Sequence, residues 1–124
     1  MAKKYSVGRQ WLVDIHDYPD IPKEKSLDAL KGAAEAMGSQ IVTSFDYESE
    51  SERVAYLLIG ESHMSLHHYP KIERALLDMF ICGDKDLQKG FDYLRGEIGF
   101  KEYDRPKKFI RKWSPLPMDS GEIR

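Results

Sequence analysis

Three reactive side chains stand at short intervals in the middle of this chain: Ser62 directly after Glu61, His67 five positions on, and Cys82, the only cysteine, fifteen beyond that. A serine hydroxyl beside a peptide carbonyl can attack it, an imidazole can carry the proton, and a thiol can deliver one. Together they are the parts needed to make a backbone-derived pyruvoyl group and to use it. Each also has a plain reading. Ser62 fits a turn, and a lone cysteine is most often a small inert hydrophobe. His63, His67 and His68 invite a metal, the imidazole being a common ligand. On a strand, however, His63 and His67 share a face while His68 points away, and no second cysteine or carboxylate pair joins them at ligand spacing, so no metal is expected. The same alternation sets Ser62 and His67 on opposite faces, and their joint action demands a bend or bulge between them.

The elements that must hold these residues can be read from periodicity. Residues 10–17 alternate as a half-buried strand, with Trp11, Val13 and Ile15 on one face. Ser26 predicts the N-cap of a helix over 27–37, where Leu27, Leu30, Ala34 and Met37 recur at helical spacing, and Gly38 suits its C-terminal end. Residues 40–47 and 53–59 read as a hairpin around the acidic turn 48–52. Further strands are expected over 63–68 and near 100–110, with Pro70 a stop and a helix over 84–98. Residues 71–80 place Ile72, Ala75, Leu76, Met79 and Phe80 at helix-like intervals, so local propensity favours a helix there.

The chain has 124 residues, 41% hydrophobic and 32% charged, with 19 basic against 21 acidic side chains. That suits one domain spanning residues 1–124 and gives no long-range attraction for a phosphate backbone, so nucleic acid is not expected as a partner. The basic segment 105–113 reads as a solvated edge strand whose charges discourage further pairing. The longest apolar run, residues 54–59, is far short of a membrane span, and no membrane partner is expected. The first residues lead into polar sequence rather than an apolar signal core, and one cysteine cannot form an internal disulfide; both favour the cytoplasm.

Over residues 8–103 the chain resembles the small bacterial and archaeal S-adenosylmethionine decarboxylases. The matching residues are Gly8-Arg9, Ala33-Ala34, Ile41-Val42-Thr43-Ser44, Glu61-Ser62-His63, Ser65, His67, Pro70, Asp78, Phe80 and Cys82-Gly83, with no gap from Glu61 to Gly83. The resemblance makes residues 71–80 a strand, against local propensity, and gives the order βαββββαβ. That is an α+β two-layer sandwich, a mostly antiparallel sheet with two helices on one face. The bare sheet face is expected to pair with a second copy in a four-layer homodimer of processed chains.

The resemblance implies a proenzyme that cuts itself between Glu61 and Ser62 and converts Ser62 into a pyruvoyl cofactor. The ketone would form a Schiff base with the substrate amine and accept electrons as carbon dioxide leaves. It further implies His67 as acid/base in processing and Cys82 as proton donor to the α-carbon. The implied substrate is S-adenosylmethionine, decarboxylated for polyamine synthesis.

Departures fall at processing and substrate positions. Val54 stands where the family has a serine that aids cleavage. Lys71 stands where a glutamate accepts hydrogen bonds from the substrate ribose, in the run from His68 and Tyr69 to Arg74. Glu48 takes the nearest position to an adenine-stacking aromatic, with Phe45 or Tyr47 able to serve after a shift. Phe45, Tyr47, Glu48, Tyr69 and Lys71 are therefore the substrate-binding candidates. Lysine carries donors only and cannot replace an acceptor, so arginine or ornithine is a second substrate class, and Glu48, Glu50 and Glu52 could meet its cationic tail. A relative that no longer cleaves and serves as a binding or regulatory subunit is a third reading.

Overall fold

Alternation of buried and exposed residues dominates the middle of the molecule. The computed structural model describes residues 6–112. Six strands, β1 (Ser6–Ile15), β2 (Ile41–Glu48), β3 (Arg53–Ile59), β4 (Ser62–Tyr69), β5 (Arg74–Ile81) and β6 (Lys107–Lys112), form one sheet in the order β2-β3-β4-β5-β1-β6. Every neighbouring pair is antiparallel. Helices α1 (Lys23–Ala36) and α2 (Leu87–Ile98) both lie on one face, so the expected α+β two-layer order is the observed one.

The core lies between that face and the helices. Trp11, Val13 and Ile15 of β1, Ala55, Leu57 and Ile59 of β3, Met64 and Leu66 of β4, and Ala75, Leu77, Met79 and Ile81 of β5 all point into it. They meet Leu27, Leu30 and Ala34 of α1 and Phe91 and Leu94 of α2. The helices approach closely where α1 offers Gly32: a Cβ there would stand 2.3 Å from the Tyr93 ring. On the opposite face Phe45, Tyr56, His63 and Phe80 make a cross-strand aromatic row, with centroids 5.0 to 6.0 Å apart. Leu12 and Leu76 are exposed on the same face, and no described element covers it.

Residues 71–80 are the instructive case. Pro70–Ile72 form a 3-10 turn, Glu73 takes a left-handed φ of 56°, and β5 begins at Arg74. β5 pairs with β4 on one side and β1 on the other. In a central position both rows of backbone groups are satisfied by neighbours, and that outweighs a local helical preference. The helix-like spacing arises because Leu76 and Phe80 lie on the bare face, and their apolar side chains fill the intervals between buried ones.

Ser26 corrects the expected start of α1. The N-cap is Pro22, whose φ of −63° suits a helix entry, and no side chain caps it. Ser26 is instead buried one turn inside, its hydroxyl 2.7 Å from the Tyr18 hydroxyl. Gly38 ends α1 as expected, with φ +76°. The last strand is shorter than expected: residues 100–106 cross to β6 without strand pairing except Tyr103 opposite Ile15. The basic edge strand is present as β6, and Lys108 lies 4.2 Å from the Trp11 ring centroid; Trp113 lies outside the described residues.

His68 is fully buried on the helix face of β4, 4.6 Å from the Tyr18 ring, and neither ring nitrogen has a hydrogen-bond partner among the described residues. Burial, then the Arg53 charge, hold its pKa below the ordinary 6.5, partly opposed by Asp20. Protonation is thus harder in the folded state. His68 supports folding fully above the unfolded value and loses that support as pH falls below about 6.5. Unfolding midpoints in urea should drop between pH 7.5 and 5. His68→Phe, which removes two unsatisfied nitrogens worth about 1–3 kcal/mol, should raise the midpoint at pH 7.5 and flatten this part of the profile. An unchanged profile in that variant would assign the acid sensitivity to other groups.

Candidate active site

The peptide between Glu61 and Ser62 closes a two-residue hairpin. Ile59 and Ser62 are partners across β3 and β4, leaving Gly60 and Glu61 as the turn. Gly60 takes φ +53°, a conformation that a side chain resists and that such short turns reserve for glycine. Glu61 is exposed, whereas Ser62 is already buried on the helix face of the sheet. The bond joining them passes from solvent into the protein.

Cys82 follows the last residue of β5 and meets Ser62 from the side. Its backbone N–H donates to the Ser62 Oγ over 2.7 Å, and its Sγ donates to the Glu61 carbonyl oxygen over 3.2 Å. The amide proton on Oγ favours the charge a serine gains when it gives up its own proton. The thiol stands at the oxygen of the carbonyl that Ser62 would attack, where negative charge develops.

Three hydrogen bonds hold the turn that follows Cys82. Arg9 of β1 donates through its guanidinium to the Gly83 carbonyl at 3.2 Å and to that of Lys85. Lys85 reaches the Gly38 carbonyl at the end of α1, 2.9 Å away. Gly8 lets β1 come close: an added Cβ would lie 2.7 Å from the Ile81 carbonyl oxygen. Gly8 and Arg9 were visible in the sequence only as matched residues; the position of Arg9 across from Ile81 follows from the β1–β5 register.

The other candidates stand elsewhere. β4 pairs with β3 and β5 without a register shift, so the bend expected between Ser62 and His67 is absent. His67 points to the bare face and lies about 17 Å along the strand from Ser62. Its Nδ1 faces the Glu52 carboxylate at 3.4 Å, and Val54 is its partner across the ladder. Tyr47 lies beyond Val54, and Tyr69 follows His67 on the same face. Burial first, then the neighbouring Glu52, raise the Tyr69 phenol above its ordinary value. Phe45 belongs to the aromatic row of this face.

Glu48 turns to the helix side and pairs with Arg53 at 3.4 Å, and Lys71 is exposed in the turn after β4. The acidic residues therefore diverge: Glu48 to Arg53, Glu52 to His67, and Glu50 into solvent. The histidines diverge as well. His63 meets Asp78 at 3.5 Å, His67 meets Glu52, and His68 enters the core. No three His, Cys, Asp or Glu side chains gather in a metal-holding group among the described residues, and no described helix is long and apolar enough to cross a membrane.

Residues 9–108 match the family described as S-adenosylmethionine decarboxylase. A protein from Prochlorococcus marinus named S-adenosylmethionine decarboxylase proenzyme is 28% identical over 102 residues, covering 78% of this chain and 82% of that protein. A protein from Aeropyrum pernix named arginine decarboxylase proenzyme is 33% identical over 93 residues, covering 67% and 70%. In three dimensions the chain is similar to the crystal structure of the adenosylmethionine decarboxylase from Aquifex aeolicus. The TM-score is 0.69 at 20% identity, over 94% of this chain and 98% of that one.

The close approach of β1 to the Cys82 turn gives a specific test. Gly8→Ala should force β1 and Ile81 apart, destabilising the fold by about 1–3 kcal/mol in urea titration, and should disturb the Cys82 amide signal by NMR more than amides at the far end of β5. Uniform small changes along β5 would mean that Gly8 does not support this turn.

Proposed function

The chain belongs to the S-adenosylmethionine decarboxylase family, and we propose that it is a self-processing proenzyme whose mature form is a pyruvoyl-dependent decarboxylase acting on S-adenosylmethionine. The observation that carries this is the contact of Cys82 with both sides of one peptide: its amide on the Ser62 Oγ and its thiol on the Glu61 carbonyl oxygen.

In processing, the Ser62 Oγ bonds to the Glu61 carbonyl carbon and loses its proton to a base. The C–N bond breaks as a proton reaches the Ser62 nitrogen, leaving an ester. Removal of the Ser62 α-proton expels the Glu61 carboxylate and leaves a carbon–carbon double bond at residue 62. Uptake of water and loss of ammonia then give the ketone. The products are residues 1–61 and a second chain that begins with the pyruvoyl group. That group supplies an electrophile which binds a substrate amine and takes up the electrons freed as carbon dioxide leaves. The Cys82 thiol, no longer engaged by the Glu61 carbonyl, is the group positioned to return a proton to the substrate carbon.

His67 enters this scheme from a second copy. On its own β4 it stands on the wrong face and about 17 Å away from Ser62. The uncovered face carries His67 together with exposed Leu12, Phe45 and Leu76, which suits a homodimer that covers this face and in which one chain's His67 reaches the other's Ser62 past the exposed Gly60–Glu61 turn at the end of β4 and not through the sheet. Phe45, Tyr47 and Tyr69 on that face are then the substrate-binding candidates best placed to contribute across the contact. A second reading, arginine as substrate, is favoured by the 33% identical arginine decarboxylase proenzyme and by Lys71 at the position of a ribose acceptor.

Denaturing mass spectrometry should find two fragments that separate after Glu61, and Ser62→Ala should leave one intact chain that releases no carbon dioxide. An intact wild-type chain would favour a non-catalytic relative instead. Carbon dioxide release measured in parallel on S-adenosylmethionine, arginine and ornithine is expected with the first; release from arginine alone would transfer the assignment to the second reading. Co-expression of Ser62→Ala and His67→Ala chains should restore cleavage of the His67→Ala chain. If that chain stays uncut while wild type matures, His67 does not act between copies.

A further inference from the structure

His67 has a carboxylate partner that the scheme above does not use. Glu52 closes the β2–β3 turn, where Ser49 accepts backbone donors from Ser51 and Glu52, and its side chain is only 25% exposed. It has no ion pair with lysine or arginine among the described residues; the neighbouring Arg53 is turned toward Asp20 and Glu48. Its side-chain hydrogen-bond partner is the His67 Nδ1 at 3.4 Å. Val54, directly opposite His67, offers the imidazole no polar atom. A largely buried carboxylate is costly unless hydrogen-bonded, and the side chain that offsets this cost is His67.

We propose that Glu52 is a positioning residue for self-cleavage: it accepts the Nδ1 proton of His67, fixes that tautomer, and leaves Nε2 as the free lone pair that takes the Ser62 hydroxyl proton. Only a proton moves in this step, from Oγ to Nε2, and it returns to the departing Ser62 nitrogen. A neutral imidazole carries one proton, so whatever holds it on one nitrogen makes the other the base. A carboxylate behind a histidine does this in many catalytic sites. At 3.4 Å the contact is long, as such bonds are before an active arrangement is completed, and covering the bare face would shorten it.

The inference rests on His67 acting in processing, and the test separates the two. Cleavage of freshly refolded precursor is followed by denaturing gel for wild type, Glu52→Gln, Glu52→Asp and His67→Ala. Glu52→Gln should slow cleavage by about tenfold or more with an unchanged melting temperature, and Glu52→Asp should recover part of the rate. Wild-type cleavage in Glu52→Gln while His67→Ala stays uncut overturns the role of Glu52; wild-type cleavage in both overturns the role of His67 instead. A second readout needs neither cleavage nor a stable Gln variant. In uncut Ser62→Ala protein, nitrogen NMR of the imidazoles should find the His67 proton on Nδ1. A proton on Nε2 overturns the proposal.

Discussion

Strand β4 can turn a given residue to one face only, and with unbroken ladders on both sides it has no freedom to turn two neighbours of opposite parity the same way. Ser62, Met64, Leu66 and His68 therefore belong to the helix side, and His63, Ser65, His67 and Tyr69 to the bare side. Met64 and Leu66 are fully buried. A one-residue slip of β4 would turn Ser62 and His67 over together without bringing them to one face, and it would expose Met64 and Leu66 and place charged or polar groups in the core. The packing of β4 thus fixes where the chemistry of one chain stops. Ser62 and Cys82 are together; His67, the base of the proposed scheme, is on the far side of the sheet.

In the proposed scheme that separation gives the bare face a purpose. A six-stranded sheet with helices on one side only leaves its other apolar residues in water unless something covers them. Leu12, Phe45, Leu76 and Phe109 are exposed there, and the aromatic row from Phe45 to Phe80 gives a broad, stiff surface. Its polar members are internally matched: Asp78 accepts from Gln10 at 3.0 Å and faces His63, and Gln10 in turn accepts from Arg111 at 2.9 Å. Polar groups already satisfied within one chain cost little when a second apolar surface arrives. In the proposed homodimer the contact that removes this face from water is also the one on which delivery of a second copy's imidazole depends, so stability and maturation would be coupled in one assembly.

The sequence made the sheet legible wherever one face alone was apolar. β3 runs over the expected residues, and β2 and β4 lie within a residue or two at each end. β5 was not legible locally, because an interior strand with apolar groups on both faces loses the period of two that would reveal it; only the resemblance identified it. Ser26 misled for another reason. Caps are recognised by residue type, but the Tyr18 hydroxyl had a stronger claim on that serine, and a contact across eight residues leaves no periodic trace. The candidate site was half legible. Ser62 and Cys82 could be matched by spacing, yet their contact depends on a β4–β5 register that spacing does not contain. Glu52 read as one charge in an acidic turn, since its relation to His67 exists only once β3 is laid against β4.

The thiol completes the argument about order in the proposed reaction. In the uncut chain the Cys82 S–H is spent on the Glu61 carbonyl oxygen, at the place where the attacking serine would build negative charge. A neutral thiol is a weak donor, so it adds little to the resting peptide; its contribution grows as the oxygen becomes anionic. Once Glu61 departs as a carboxylate, the acceptor that held the thiol is gone, while the Cys82 backbone stays fixed by β5 and by the Arg9 contacts to Gly83 and Lys85. Nothing needs to move for Cys82 to change partners. In the proposed scheme the residue beside the bond to be cut would then face whatever binds to residue 62, and one turn at the end of β5 would serve the making of the ketone first and its use afterwards.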